Sequence, residues 1–359
     1  MLSGDYLFTR RQFLQSSAAA VAACGLASAR DASPVKVGQG KATYTLDPQW
    51  GVLPDGMRYG LGCAIVVDKN DRVIVTSRST SPCVAIFDKT GKLLETWTKE
   101  ISEKVGYSPE KIADTAHGLF LSNEGGTEFL YWTENVSTNR QGPKFGKRVY
   151  KTDMQGKILF TLGPDEKESS TTLPLPVTNP TDVAIGPNGD IYIVDGYGSQ
   201  KVYRFDKNFK QLKVIGGKGK EQGQFNTCHG VWVNTLKKDP EVYIADRANN
   251  RIEVYSPELE YKRTIPGVRN PCCFYQAGGM IYIPELDQRV TILDADDKVV
   301  AHLGDGHGPD GKKMDRKDVE ANPAKFFTPH ALTVDSRGNM FVLEWIDFGR
   351  VRKFAPTPA

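Results

Sequence analysis

Histidine is scarce in this chain, with five among 359 residues. Cysteine is hardly commoner, at six, and no two stand in the C-x-x-C spacing of a thiolate zinc knuckle, which excludes that kind of metal site. An excess of one charge is also missing. Lys and Arg number 46 against 43 Asp and Glu, a formal net charge of +3 with no basic cluster, so nucleic acid is not an expected partner. After the first 29 residues no apolar run approaches the ~20 residues of a membrane-spanning helix. Helical periodicity is nearly absent.

Residues 1–29 read as a leader. Thr9-Arg10-Arg11-Gln12-Phe13-Leu14 is a twin-arginine pattern, followed by a short alanine-rich stretch too weakly apolar for a permanent span. Ala27-Ser28-Ala29 fits cleavage before Arg30. Val21-Ala22-Ala23-Cys24 also fits lipoprotein processing, which would leave Cys24 as a lipid anchor and the only route to a membrane. Either way the mature protein is expected to be exported through the twin-arginine pathway, already folded, to the periplasm, the exterior or a membrane surface. Five cysteines then remain, an odd number that leaves at least one thiol free unless chains pair; the pairing itself is not readable.

Residues 30–40 read as a linker, and 41–359 as one domain of repeats. The units recur at roughly 40 to 60 residues, the period of propeller blades. Each runs from a short apolar strand through an Asp or Gly turn to a β-branched strand ending in an acid, then to a further strand. GCAIVVDKNDRVIVTSR, HGLFLSNEGGTEFLYWTE, TDVAIGPNGDIYIVDGY, HGVWVNTLKKDPEVYIADRANNR, CCFYQAGGMIYIPELDQR and HALTVDSRGNMFVLEWIDFGR open the six units. The last stops one strand short, while Lys41–Leu46 is a strand without a unit. Pairing the two would close an all-β, six-bladed propeller and remove its free edges. Two stacked sandwiches are the competing architecture, and six similar units suit radial repetition better.

Aligning the first strands puts Cys63, His117, Thr181, His229, Cys272 and His330 at one position, which faces the ring axis. His229 follows His117 by 112 residues and His330 follows His229 by 101, two units each time. A single such His reads as a strand-start cap. Three on alternate blades read as a facial set of metal ligands with open positions, the arrangement of a catalytic zinc. His302 and His307 fall outside this register, in a segment read as a solvated loop.

DVAIGPNGDIYIVDGYGSQKVYRF, HGVWV with VYIADRANNRIEVY, and VVDKNDRVIVTSR resemble NHL-repeat propellers and, within them, the peptidyl-α-hydroxyglycine α-amidating lyases. The resemblance covers essentially the whole mature chain. It implies that His117, His229 and His330 are zinc ligands, that Tyr197 and Arg78 are catalytic and that Arg247 binds substrate. The implied reaction cleaves a peptide ending in α-hydroxyglycine to an amide and glyoxylate. Tyr197 would take the hydroxyl proton, Arg78 would stabilise its phenolate, and Arg247 would grip the carboxylate. Arg78 also stands out against its own repeat, read as replacing the acid found at Glu134, Asp195, Asp246, Glu285 and Glu344.

Two positions depart from the family. Ala331 stands where an Asp follows the third zinc His, which leaves a structural calcium only backbone carbonyls near Ile65 and Leu119. Gly198 stands where a disulfide cysteine is found. The expectation is therefore a monomeric, exported zinc lyase acting on a small-molecule or peptide carbinolamide. Two alternatives stay open: a metal-dependent hydrolase or lactonase, and a non-enzymatic propeller that binds a protein or glycan partner. Residues 305–325 read either as a rim over the channel or as a solvated insertion.

Overall fold

The computed structural model describes residues 33–79, 81–97, 116–135, 148–163, 172–173 and 176–358. The leader, the Cys24 anchor and their cleavage sites lie outside the described residues. Residues 36–359 form one compact unit built from six sheets, antiparallel apart from one short edge strand.

Blade one comprises Leu61–Val67, Val73–Arg78, Val84–Phe87 and Leu93–Trp97. Blade two has Ala116–Glu124, Thr127–Glu134, Val149–Thr152 and Ile158–Leu162, with Thr172–Leu173 added in parallel at its outer edge. Blade three has Asp182–Ile185, Ile191–Val194, Lys201–Phe205 and Gln211–Gly216; blade four has Cys228–Asn234, Glu241–Asp246, Arg251–Tyr255 and Tyr261–Ile265. Blade five has Tyr275–Ala277, Met280–Glu285, Arg289–Leu293 and Val299–Leu303. Blade six has Pro329–Val334, Met340–Glu344 and Arg350–Pro356, and takes its fourth strand, Ala42–Asp47, from the other end of the chain.

That closure follows the sequence reading, with Tyr44 opposite Pro356 and Asp47 opposite Lys353. A further strand, Lys36–Gln39, lies within the stretch read as linker and pairs outside Ala42–Asp47. Tyr44 is buried and its hydroxyl meets that of Tyr282 at 2.9 Å, locking the closing strand onto blade five. Truncating a buried aromatic of this size costs about 3 kcal/mol or more. Tyr44→Ala is therefore expected to lower the urea midpoint markedly, with the channel residues untouched; an unchanged midpoint would show that the ring does not depend on its closure.

One local device recurs at the outer hairpins. Asp88, Asp153, Asp206 and Asp294 each turn a side-chain oxygen back to accept the backbone N–H groups two and four residues on, and Ser256 does the same with its hydroxyl. These Asx-type bonds explain the Asp, or on blade four the Ser, that follows the third strand on blades one to five. Between blades the core is apolar. Second strands such as Glu241–Asp246 and Met340–Glu344 are buried throughout, because each lies between two neighbouring sheets. Outermost strands such as Leu93–Trp97 are half exposed.

Candidate metal centre and channel mouth

The inner strands begin with a β-bulge. Pairing with the second strand slips between Gly62 and Ala64, Ala116 and Leu119, Cys228 and Val231, and Pro329 and Ala331. The slips coincide with Cys63, His117, His229 and His330. A bulge re-aims the side chain it carries, here toward the ring axis.

Each imidazole is then fixed by the next blade. Nδ1 of His117 lies 2.6 Å from the Thr181 carbonyl, Nδ1 of His229 2.7 Å from that of Cys272, and Nδ1 of His330 2.8 Å from that of Cys63. A carbonyl only accepts, so Nδ1 carries the proton and the Nε2 lone pair is free. The Gly after two of these histidines has the same cause. A Cβ at Gly118 would stand 2.8 Å from the Thr181 carbonyl, and one at Gly230 2.3 Å from that of Cys272. The His-Gly pair thus lets the neighbouring carbonyl come close enough to orient the ring.

The ring centroids of the three histidines are 4.8, 5.0 and 5.2 Å apart, and a candidate ligand atom from each lies within 4.8 Å of the others. Nε2 of His117 and of His229 are buried without a hydrogen-bond partner among the described residues. Burial, then neighbouring positive charge, holds all three rings neutral, with His330 pushed down to about 3. Three neutral, oriented imidazoles with inward lone pairs suit a tetrahedral ion that keeps one position open. The residues fit a catalytic metal.

Tyr197 and three half-buried residues of the channel mouth surround this cluster. The Tyr197 ring stands edge-on to His117 at 5.4 Å and to His229 at 5.7 Å. The Arg247 guanidinium lies 5.3 Å from the same ring. Burial raises the Tyr197 phenol, and Arg247 is the main opposing influence; Arg78 acts on it only as a weaker charge. Arg78 is placed elsewhere. Its Nε donates to the Ala116 carbonyl at 3.3 Å, Nη2 to Asn135 Oδ1, and its guanidinium lies 4.9 Å from the Trp345 ring. Trp345 in turn packs 4.9 Å from His330. The structure therefore reverses the expected pairing of the arginines, placing Arg247 beside Tyr197.

The ladder also corrects the register of Arg78. Gly62 pairs with Ser77, just as Ala116 pairs with Glu134, Cys228 with Asp246 and Pro329 with Glu344. Ser77, not Arg78, takes the acid's place. It does the acid's work too: Ser77 Oγ accepts the Gly60 N–H, as Asp246 accepts from Asn226 and Glu344 from Phe327. Arg78 belongs to the next position along, shared with Asn135, Gly196, Arg247, Leu286 and Trp345. Asn135 and Trp345 passed unnoticed in the sequence because this position carries no repeated residue type.

The acid-pairing arginine of the ADRANNR segment is Arg251, 2.8 Å from Asp246, which leaves Arg247 without that structural duty. His302 is exposed and contacts Thr291, while His307 is half-buried and pairs with Asp287 at 2.8 Å, tying the largely exposed 305–325 segment to blade five. The five cysteines among the described residues are free thiols. Burial pushes the thiols of Cys63 and Cys272 up to about 11, against the influence of Arg78 and Arg247 respectively. The three histidines, Asp182 and Cys273 help to line a cavity of about 130 Å³. Asp182 stands one residue past the axis slot of blade three, as Ala331 does on blade six, and burial there raises its carboxyl to about 7.

No family model matches the chain. It is 28% identical over 221 residues to human NHL repeat-containing protein 3, covering 61% of this chain and 58% of that protein. It is 30% identical over 159 residues to a probable peptidyl-alpha-hydroxyglycine alpha-amidating lyase of Caenorhabditis elegans, covering 42% and 39%. The chain is a six-bladed β-propeller similar in sequence to NHL-repeat proteins. Its matches span less than two thirds of these relatives' lengths. Solved structures show the same propeller fold. A streptogramin B lyase superposes with a TM-score of 0.54 at 12% identity, over 88% of this chain and 98% of that one. A gluconolactonase from Xanthomonas campestris superposes with a TM-score of 0.56 at 12% identity, over 91% and 96%.

Proposed function

We propose that this protein is an exported lyase that cleaves N-acyl-α-hydroxyglycines to an amide and glyoxylate. The observation that carries this reading is the convergence of three buried imidazoles, with Tyr197 edge-on to two of them and Arg247 on the Tyr197 ring. A zinc ion held by His117, His229 and His330 would supply Lewis acidity toward a substrate oxygen.

The chain's own residues account for the proton and the charge. In the reaction the carbinol O–H loses its proton, the carbon–oxygen bond becomes a carbonyl, the carbon–nitrogen bond breaks and the nitrogen gains a proton. Tyr197 is the group placed to move that proton. Burial alone makes its phenolate costly, and the adjacent Arg247 offsets part of that cost. Arg78, free of any carboxylate among the described residues, is left to receive the substrate's carboxylate.

The test is direct. Purified protein loaded with zinc is given N-benzoyl-α-hydroxyglycine, and benzamide and glyoxylate are quantified. Equal release of both, well above spontaneous breakdown, is expected. Release no faster than in buffer would refute the lyase reading.

A further inference from the structure

We propose that Asn135 and Trp345 are positioning residues that hold Arg78 charged and open as the carboxylate receptor of this site. The proposal rests on the lyase reading for the identity of the substrate, but only on geometry for the charge that the ligand carries.

On four blades an arginine is spent on the buried acid that ends the second strand: Arg148 on Glu134, Arg251 on Asp246, Arg289 on Glu285 and Arg350 on Glu344. Each of those acids is fully buried, so each arginine is neutralised by the fold itself. Blade one carries Ser77 in the acid's place. Arg78 has no carboxylate partner among the described residues.

Among the described residues, the groups that hold Arg78 carry no formal charge. Nε donates to a backbone carbonyl, one Nη2 proton goes to the Asn135 amide oxygen, and the guanidinium faces the Trp345 indole. A π-face attracts a cation without cancelling its charge. Asn135 is 3% exposed, so its amide oxygen is a fixed acceptor and not a surface contact. An aspartate there would accept the same bond with the same shape, yet would neutralise the arginine before any ligand arrived. The guanidinium also meets the Cys63 thiol, but its fork carries more donors than these contacts use, so a carboxylate can still be bound. Trp345 joins this receptor to the metal-ligand cluster, since the same indole packs on His330.

The experiment uses the full zinc-loaded protein and glycolate as the binding probe, followed by calorimetry. Asn135→Asp is expected to weaken glycolate binding about tenfold or more, because a like charge is set against the incoming carboxylate. With N-benzoyl-α-hydroxyglycine it should raise KM by a similar factor and leave kcat within about twofold. Trp345→Leu should weaken glycolate several-fold, and Trp345→Phe, which keeps a π-face, should restore most of the loss. Zinc content and thermal midpoint are followed for each variant to establish folding. Glycolate binding to folded Asn135→Asp as tightly as to wild type would overturn the proposal, as would absence of binding to wild type. The binding assay does not depend on turnover. Intact glycolate discrimination without glyoxylate release would refute the lyase reading and leave the receptor standing.

Discussion

His229→Ala is expected to abolish zinc binding, where the wild type should carry about one zinc per chain. Three imidazoles supply the donor set, and two nitrogens with a solvated gap are a much weaker site. The substitution also removes the bond that Nδ1 gives to the Cys272 carbonyl, so that carbonyl loses its partner next to Tyr197 and Arg247. The effect should therefore appear in two independent readouts. Elemental analysis would find the variant metal-free after growth in adequate zinc. In thermal unfolding a chelator should lower the wild-type midpoint and leave that of the variant unmoved, since only a protein that binds metal in its folded state gains stability from it. The gain grows as RT ln(1 + [L]/Kd), about 4 kcal/mol when free metal exceeds Kd by a thousandfold. Zinc retained by the variant, or absent from the wild type, would show that the three histidines serve packing and not a metal.

The histidines were legible because a ring repeats its register. A bulged strand start returns on blades one, two, four and six, so residues far apart in the chain occupy equivalent places on one axis, and His-Gly marks where a neighbouring carbonyl comes close. The closure was legible for a related reason, since a unit lacking a strand and a strand lacking a unit imply one another. The mouth of the channel was less readable. Ser77 replaces an acid with a hydroxyl that caps the same kind of N–H, so the repeat gives no visible landmark there and Arg78 slides by one position in a sequence alignment. Which arginine attends Tyr197 depends on how far each side chain reaches across the mouth, a quantity absent from any single strand. Asn135 and Trp345 were invisible for a third reason. Their position directs a side chain into the mouth without requiring any residue type, so the features that matter there differ from blade to blade.

Tyr197→Phe should lower the rate of glyoxylate release by about 10²- to 10⁴-fold, the usual worth of a positioned proton carrier. The substitution removes one oxygen and little else. A phenyl ring keeps the edge-on contacts with His117 and His229 and the face offered to Arg247, so zinc content and thermal midpoint should stay at wild-type values. The loss should fall in kcat, because the hydroxyl contributes to proton movement and not to holding the carboxylate. The two arginines then provide an internal comparison. Arg247→Met removes the cation beside the phenol, making its phenolate more costly, and should follow Tyr197→Phe with a fall in kcat. Arg78→Met removes the carboxylate receptor and should act chiefly on KM. The opposite split, with Arg78 governing kcat and Arg247 governing KM, would restore the roles that the sequence resemblance suggested and would mean that the two side chains exchange partners when substrate binds. A Tyr197→Phe enzyme as fast as wild type would remove the phenol from the reaction, and the proton would then have to pass through one of the thiols or a solvent molecule at the mouth.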